Sequence, residues 1–174
     1  MIITDNFLSN KEILKIKNLM YSDNSLKFPW FYDNFSNSFY HIGMEERQKI
    51  SPFSDDAIFI LEKFCEINKI EIRLVLDIKA QLVIKNFAES SKVLGSRGNK
   101  SYSTLIYCVD DADEDLLFFS ERYEDGISDR LHLSGKMTHV SGRAIMFDGI
   151  KGYSLQTPIN NNTKCIISIN FLVK

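Results

Sequence analysis

The chain has 174 residues, of which 44% are hydrophobic, and its 21 lysines and arginines are nearly balanced by 23 aspartates and glutamates. A chain of this length and apolar content can bury a core without disulfides or structural metals, so we expect one domain spanning residues 1–174. The charge balance argues against nucleic-acid binding, and no apolar run is long enough to cross a membrane.

Two features of the sequence indicate a cytosol-like compartment. Residues 1–5 lack the basic start and the apolar run of a secretion signal. The three cysteines, Cys65, Cys108 and Cys165, occur singly in apolar runs, which is typical of reduced, buried thiols. We therefore expect a cytoplasmic protein that is not exported by a signal peptide, and the sequence leaves its oligomeric state open.

Two amphipathic helices are predicted in the N-terminal part. Ser9 and Glu12 form a capping-box pattern, in which both side chains accept hydrogen bonds from backbone N–H groups at the start of a helix. A second helix is expected to be capped by Ser51 or Ser54 and to end near Asn68, because apolar residues recur between them at helical spacing. Both helices are expected to cover a sheet.

The segment between the helices is rich in asparagine, serine and aromatic residues, and we expect a long ordered loop with short strands. Its aromatic run contains Phe28, Trp30, Phe31 and Tyr32. These side chains are candidates for a surface that binds a protein partner, since exposed aromatics often anchor partners. The alternative, which is the more frequent fate of clustered aromatics, is that they plug the mouth of a barrel.

From residue 70 onward, apolar and polar residues alternate with period two, which predicts half-buried strands. The predicted strands cover residues 70–74, 78–84, 103–109, 116–120, 130–133, 144–147 and 166–173. Two helices followed by many short strands predict an α+β, mainly β fold, in which the two N-terminal helices pack on a jelly roll.

Two loop segments have both a binding interpretation and a plain one. Residues 110–115 contain five carboxylates in six positions, which suits either a calcium site or a solvated hairpin turn, and we favour the hairpin. Residues 95–98 read Gly-Ser-Arg-Gly, which suits an anion-binding nest or an ordinary turn, and we favour the turn.

Three segments, residues 102–109, 142–149 and 165–172, occur in an order and spacing that resemble the iron(II)/2-oxoglutarate oxygenases. The likeness is to the prolyl-4-hydroxylase-like branch, and most of all to the small versions carried by tailed phages of marine bacteria. The Phe-Pro-Trp-Phe loop at residues 28–31, lying between two helices, adds to it. The resemblance covers nearly the whole chain and implies a double-stranded β-helix.

The resemblance also implies where an iron centre should lie. The family holds iron with a facial triad of two histidines and one carboxylate. The corresponding positions fall near Ser96, Gly98 and Tyr153, and residues 94–100 contain neither a histidine nor a carboxylate. A neutral phenol is a poor ligand for ferrous iron at neutral pH. All three ligands are therefore expected to be missing, and we expect no iron cofactor.

The family's clamp for 2-oxoglutarate is likewise expected to be absent. The resemblance implies an arginine near Ile166, which pairs with the far carboxylate of 2-oxoglutarate. Lys164 is the nearest cation, and a lysine cannot form the planar two-point contact that a guanidinium makes. Lys164 and Tyr107 are retained as candidates for contact with an organic acid.

Three functions remain open on these grounds. The first is a catalytically inactive oxygenase-like protein that serves as a structural or protein-interaction module, in a phage virion or in the host cytoplasm. The second is a working iron(II)/2-oxoglutarate hydroxylase with relocated ligands, for which His132 with Asp129 is the best substitute pair, and His139 a further candidate. The third is a small-molecule receptor that uses Lys164, Tyr107 and Tyr153 as polar contacts. For the histidines, including His41, a surface or hydrogen-bonded core position is the simpler interpretation.

Overall fold

The predicted helices and strands can be compared with a computed structural model, which describes residues 1–21, 28–34, 38–85, 93–94, 101–122 and 131–174. It contains helices α1 (Asn10–Met20) and α2 (Phe53–Asn68). The strands in the described ranges are β1 (Ile2–Thr4), β2 (Phe31–Asp33), β3 (Ser38–Glu45), β4 (Gln48–Lys49), β5 (Ile72–Ile84), β6 (Val93–Leu94), β7 (Ser103–Cys108), β8 (Leu116–Arg122), β9 (Leu133–Met137), β10 (Ala144–Asp148), β11 (Lys151–Leu155) and β12 (Thr163–Val173). No helix in these ranges is both long and apolar enough to span a membrane.

The first helix begins where its capping pattern predicts. The Ser9 N–H donates to the Glu12 carboxylate over 2.7 Å, and the Glu12 N–H donates to the Ser9 hydroxyl over 3.4 Å, so both halves of the capping box are formed. The second helix ends at the predicted residue, and its predicted cap is partly right. Pro52 occupies the N-cap position and provides no side-chain hydrogen bond. The Ser51 hydroxyl, one residue earlier, accepts a hydrogen bond from the Phe53 N–H over 3.3 Å, whereas Ser54 lies inside the helix.

The strands form two antiparallel sheets. The larger sheet has the order β1-β10-β7-β12-β5-β3-β2, with β4 paired to β3, and the smaller sheet has the order β6-β11-β8-β9. From β5 to β12, successive strands lie in alternate sheets as in a jelly roll, except that β8 and β9 are neighbours in the smaller sheet. The predicted α+β, mainly β fold with two helices packed on a jelly roll is confirmed.

The larger sheet buries both of its faces. Because β12 is extended, its alternate side chains point to opposite sides. One buried cluster contains residues of α1 and α2 and is called here the helix-side cluster. It includes Cys165, Ile167 and Ile169, whereas Ile166 belongs to a second cluster between the sheets. This second cluster, called here the inter-sheet core, consists of Val83, Ile106, Cys108, Leu116, Phe118, Ile145, Phe147, Tyr153, Leu155 and Ile166.

The acidic run at residues 110–115 connects the two sheets. The predicted hairpin is wrong, because β7 pairs with β10 and β12, whereas β8 pairs with β9 and β11. The run is also not simply solvated. The Asp113 carboxylate accepts hydrogen bonds from the backbone N–H groups of Ile159, at 3.2 Å, and Asn160, at 2.5 Å. Asp113 thereby holds the segment that leads into β12.

Asp110 lies at the centre of a polar cluster at the same end of the sheets. Its carboxylate accepts hydrogen bonds from the Tyr21 hydroxyl at 2.5 Å, from His139 Nε2 at 3.0 Å and from the Cys165 N–H at 2.9 Å. Burial raises the pKa of Asp110, but these hydrogen bonds outweigh burial, and the pKa lies below its ordinary value. The cluster joins the end of α1 to β12 and to the loop before β10.

Lys164 provides the opposite charge on the other face of β12. Its side chain is fully buried, and its ammonium group donates to the carbonyl oxygens of Glu114 (2.5 Å), Asp115 (3.0 Å) and Gln156 (3.2 Å). Burial lowers the pKa of Lys164 to about 8, so the group remains mostly charged at neutral pH. Lys164 therefore joins the acidic connection to the end of β11.

Replacing Lys164 by methionine is expected to destabilise the protein while nearly preserving side-chain volume. Three partly buried carbonyl oxygens would lose their donor, and we expect the free energy of unfolding to fall by about 2–4 kcal/mol. Urea unfolding followed by circular dichroism measures the change. Lys136→Met, on an exposed lysine of β9, is the matched control and should have little effect. Equal stability of the two variants would contradict the anchoring role.

Acidification is expected to destabilise the protein through His139. The side chain is fully buried, Nδ1 has no hydrogen-bond partner among the described residues, and burial lowers the pKa of the imidazole below its ordinary value. The unfolded chain therefore binds a proton at higher pH than the native protein, and stability falls as the pH drops below about 6.5.

The measurement is the melting temperature as a function of pH for the native protein and for His139→Gln. Glutamine can still donate to Asp110 but does not titrate, so its profile should be flatter between neutral and mildly acidic pH. His132→Gln, which removes an imidazole whose side chain is 85% exposed, is the control for the loss of a histidine. Parallel profiles for the native protein and His139→Gln would exclude His139 as the source of the pH dependence.

Candidate functional site

The candidate site lies between the two sheets. The resemblance implies a metal ligand at the position of Tyr153, on β11, and a 2-oxoglutarate clamp near Ile166, on β12. Tyr153 pairs with Phe118 of the smaller sheet, and Ile166 pairs with Cys108 of the larger one. Both residues belong to the inter-sheet core. The two implied functional positions therefore lie in the same interior space.

Three aromatic rings fill part of this space. The Tyr153 ring meets Phe147 edge-to-face at a centroid distance of 5.6 Å, and Phe147 meets Phe118 in the same way at 5.0 Å. Such pairs stabilise a core beyond the area they bury. We call Phe118, Phe147 and Tyr153 the aromatic plug. The position implied for the distal histidine thus holds a packed ring that is only 7% exposed.

The chemistry of Tyr153 follows from its burial. Burial raises the pKa of the phenol, although a hydrogen bond with the Ser168 side chain acts in the opposite direction. The Ser168 hydroxyl in turn donates to the Lys79 carbonyl over 3.1 Å. The phenol therefore stays protonated at neutral pH. It lacks the anionic oxygen that would make tyrosine an effective ligand for iron.

At the implied clamp position, β12 has no cation that is available to a ligand between the sheets. Ile166 is fully buried and packs in the inter-sheet core. Lys164, two residues earlier on the same face, directs its three N–H donors to carbonyl oxygens. An organic acid would have to displace at least one of those carbonyls to bind Lys164. Contact between Lys164 and a ligand remains a prediction.

Tyr107 faces the other side of the larger sheet. It belongs to the helix-side cluster, and its ring meets the Phe7 ring edge-to-face at 6.0 Å. Its hydroxyl is buried without a hydrogen-bond partner in the described part of the chain. A ligand between the sheets would meet the opposite face of β7. The placement of Tyr107 thus separates it from Lys164 and Tyr153.

A close contact closes the turn between β10 and β11, next to Tyr153. The Tyr102 hydroxyl donates to the Gly149 carbonyl over 2.5 Å, and the Gly149 N–H donates to the Tyr102 carbonyl over 2.8 Å. A Cβ atom at position 149 would lie 2.1 Å from a Tyr102 ring carbon and 2.5 Å from Thr104 Oγ1. Only glycine allows the Tyr102 ring to approach the turn this closely.

The two remaining implied ligand positions, Ser96 and Gly98, lie outside the described residues, as does the possible nest at residues 95–98. Within the described ranges, no group of three or more histidine, cysteine, aspartate or glutamate side chains is arranged to hold a metal ion. The sequence itself has no histidine or carboxylate at residues 94–100. Within the part of the chain that the structure describes, the donors therefore do not form the iron centre that the resemblance implies, and the loss of all three ligands stays a prediction.

All three histidines of the chain can be assigned other environments. The His41 ring is hydrogen-bonded through Nδ1 to the Pro29 carbonyl at 2.8 Å and through Nε2 to the Ser51 hydroxyl at 2.7 Å. His139 donates to Asp110, as described above. His132 is 85% exposed and is paired with Glu121. Its proposed partner Asp129 lies outside the described residues.

The predicted aromatic loop divides into two parts. Phe28 is buried in the helix-side cluster, where it stacks on His41 at 4.1 Å, and the Trp30 indole N–H donates to the Met20 carbonyl at 3.2 Å. Phe31 and Tyr32 lie on β2, at one end of the larger sheet, and are 53% and 41% exposed. The first pair contributes to the core, and the second pair remains available at the surface.

A polar row on β5 is not apparent from the sequence. Lys79 and Gln81 alternate with Ile78, Ala80 and Leu82, and period-two alternation suggests that they face solvent. Instead, Gln81 pairs with Ile166 of the inter-sheet core, and Lys79 pairs with Ser168. The missed signal was the pairing of β5 with the buried last strand, which a single strand's pattern does not contain.

Gly149→Ala tests the tight turn at the mouth of the site. We expect a loss of about 1–3 kcal/mol in the free energy of unfolding, because the added methyl group would overlap the Tyr102 ring and force it to move. Gly135→Ala is the matched control, since a Cβ atom there meets nothing within 4 Å. Urea unfolding measures both variants. A Gly149→Ala variant as stable as the control would contradict the close packing.

Comparisons with known proteins place this geometry in context. No family model and no curated protein matches the chain. Among solved structures, a non-heme α-ketoglutarate-dependent carbocyclase from nogalamycin biosynthesis is similar with a TM-score of 0.70 at 8% identity, over 98% of this chain and 78% of the other. A 2OG-Fe(II) oxygenase family protein from Burkholderia pseudomallei is similar with a TM-score of 0.65 at 9% identity, over 98% and 83% of the two chains.

A third similar structure is the viral collagen prolyl hydroxylase from Paramecium bursaria Chlorella virus 1, in complex with 2OG. Its TM-score is 0.56 at 13% identity, over 98% of this chain and 96% of the viral one. A prolyl-4-hydroxylase from Pseudomonas putida is also among the neighbours. The structural neighbours are therefore 2OG-Fe(II) oxygenases, including prolyl hydroxylases, and this chain has their double-stranded β-helix fold.

Proposed function

We propose that this protein is a catalytically inactive relative of the iron(II)/2-oxoglutarate oxygenases that has kept the fold as a structural or protein-interaction module. The observation that carries the proposal is the aromatic plug. Tyr153 stands where the distal histidine is expected, and its ring is packed against Phe147 inside the inter-sheet core. A buried phenol at this position favours packing over metal binding.

The fate of the histidines supports the same conclusion. An iron centre of this family needs two imidazoles, and the chain has three histidines in total. His41 and His139 are buried and hydrogen-bonded elsewhere, and His132 is exposed. Bringing two of them to one metal between the sheets would require rearrangement of the helix-side cluster or of the polar cluster around Asp110.

The absence of a clamp supports it independently. Ile166 occupies the implied arginine position with a fully buried aliphatic side chain, and Lys164 donates to three carbonyl oxygens. Introducing 2-oxoglutarate at this position would place a carboxylate beside an aliphatic side chain in place of the guanidinium that the resemblance implies. An unpaired charge in such a place is costly.

The interaction role is proposed from the exposed aromatics of β2. Phe31 and Tyr32 point to opposite faces of that strand, and each presents a large apolar area to solvent. Aromatic side chains of this kind are enriched at protein–protein interfaces. We propose a protein partner at this end of the larger sheet, in the cytoplasm or in a phage virion, where the virion follows only from the resemblance.

The test is an anaerobic calorimetric titration of metal-free protein with ferrous iron and then with 2-oxoglutarate. Oxygen is admitted afterwards and succinate is assayed. We expect no stoichiometric iron binding and no succinate, because the implied ligand positions Ser96, Gly98 and Tyr153 hold no histidine or carboxylate and the implied clamp position holds Ile166. The viral prolyl hydroxylase, treated in parallel, is the positive control for the assay.

Stoichiometric iron binding with succinate production would overturn the proposal in favour of a hydroxylase with relocated ligands. His132→Ala and His139→Ala would then be compared first, and Asp129→Asn would test the partner predicted for His132. Turnover that survives all three replacements would direct the search to other residues.

A further inference from the structure

A groove lies between the two helices on the outer side of the larger sheet. The helices are antiparallel, because Lys15 of α1 pairs with Asp56 near the start of α2 at 2.6 Å, whereas Phe7, before α1, meets Phe64 near the end of α2 at a ring-centroid distance of 6.0 Å. The groove has a volume of about 320 Å³ and is lined by Glu12, Lys15, Ile16, Asp55, Asp56 and Phe59. This concave surface, called here the helical groove, can receive a side chain of another molecule.

Apolar side chains lie in the helical groove and beside it. Ile16, which is 4% exposed, joins the groove to the helix-side cluster. Phe59 on α2 is 36% exposed, and Leu14 on α1 is 57% exposed. Large apolar side chains at the centre of a surface, with charged groups around them, have the composition of a protein–protein interface. The outer surface of the helices therefore suits burial against a second protein surface.

The two helices carry opposite charge. Helix α1 contains three lysines and one glutamate, whereas α2 contains four carboxylates and one lysine. The exposed charged residues follow the same division, with Lys11 and Lys15 on α1 and Asp55, Glu62 and Glu66 on α2. A uniformly acidic or basic partner would be attracted by one helix and repelled by the other. A surface with a positive half and a negative half is instead complementary to a rotated copy of itself.

A two-fold axis parallel to the helices brings these halves together. Rotation about such an axis places α1 of one copy over α2 of the other and leaves each residue at its level along the helices. Lys15 and Asp56 are at one level in the chain, so Leu14 of one copy comes close to Phe59 of the other. One turn away, Lys11 of one copy comes close to Glu62 of the other. Each contact occurs twice, as two-fold symmetry requires.

We propose that the helical groove is the interface of a two-fold symmetric homodimer. Leu14 of each copy packs against Phe59 of the other, and Lys11 of each copy pairs with Glu62 of the other at the edge of the interface. This surface uses different residues from the exposed aromatics of β2. The inference therefore goes beyond the function proposed above, and a dimer would present the β2 surface twice.

The test is sedimentation velocity of the whole chain over a range of concentrations. The apolar contact is tested with Leu14→Ser, and the matched control is Leu133→Ser, at a leucine of β9 that is 48% exposed and lies on the smaller sheet. The charge contact is tested with Lys11→Glu and Glu62→Lys, each alone and then mixed in equal amounts. Urea unfolding verifies that each variant is folded.

We expect a dimer of the native protein, and we expect Leu14→Ser to raise its dissociation constant by about tenfold or more, because the apolar contact is lost twice. Leu133→Ser should change it by less than about twofold. Lys11→Glu and Glu62→Lys should each raise it by about fivefold, because each places like charges together. Their mixture should regain the native affinity as a heterodimer, since both contacts again join opposite charges.

Three results would overturn the interface. The first is a native protein that stays monomeric up to roughly 500 µM, a concentration that detects affinities in the micromolar range. The second is a dimer that Leu14→Ser weakens no more than Leu133→Ser does. The third is a mixture of Lys11→Glu and Glu62→Lys that dimerises no better than either variant alone. These outcomes are separate from those of the iron titration, because a dimer can form with or without succinate production.

Discussion

The extended geometry of β12 is the constraint on which the rest of the structure depends. Thr163–Val173 is hydrogen-bonded to β5 on one side and to β7 on the other, and its side chains alternate between two buried clusters. A shift of the β12 register by one residue would exchange the two sets of side chains and move Lys164 into the helix-side cluster. The register of this strand therefore determines which residues face the helices and which face the smaller sheet.

The interior between the two sheets is filled by packed side chains in this chain. The chain shares the fold with its structural neighbours. Tyr153 and Ile166 are positions of implied chemistry, and both contribute to the inter-sheet core. Large apolar groups stabilise a core by the area they remove from water. A functional pocket needs space and polar groups in that volume. In the function proposed above, the interior provides stability and a partner binds at the exposed aromatic side chains of β2.

Charged side chains stabilise the connection between the two sheets at residues 110–115. Asp110 accepts donors from three parts of the chain, Asp113 accepts backbone N–H groups, and Lys164 returns a positive charge to the carbonyls of the same connection. The many carboxylates of residues 110–115 suggest a solvated turn when only the sequence is considered. In the structure, this segment is a crossover between the sheets, and its carboxylates accept the hydrogen bonds that hold it in place. A local pattern indicates charge but not the distant donors that satisfy it.

The sequence by itself determined the features that depend on neighbours in the chain. The capping box of Ser9 and Glu12 and the period-two strands are local patterns, and they led to the correct fold class. It also determined the shortage of histidines. Only the tertiary structure decided that Tyr107 faces the helices and that Lys79 and Gln81 adjoin the inter-sheet core. The physical reason is that a strand's alternation defines two faces, whereas the pairing of distant strands decides what each face meets.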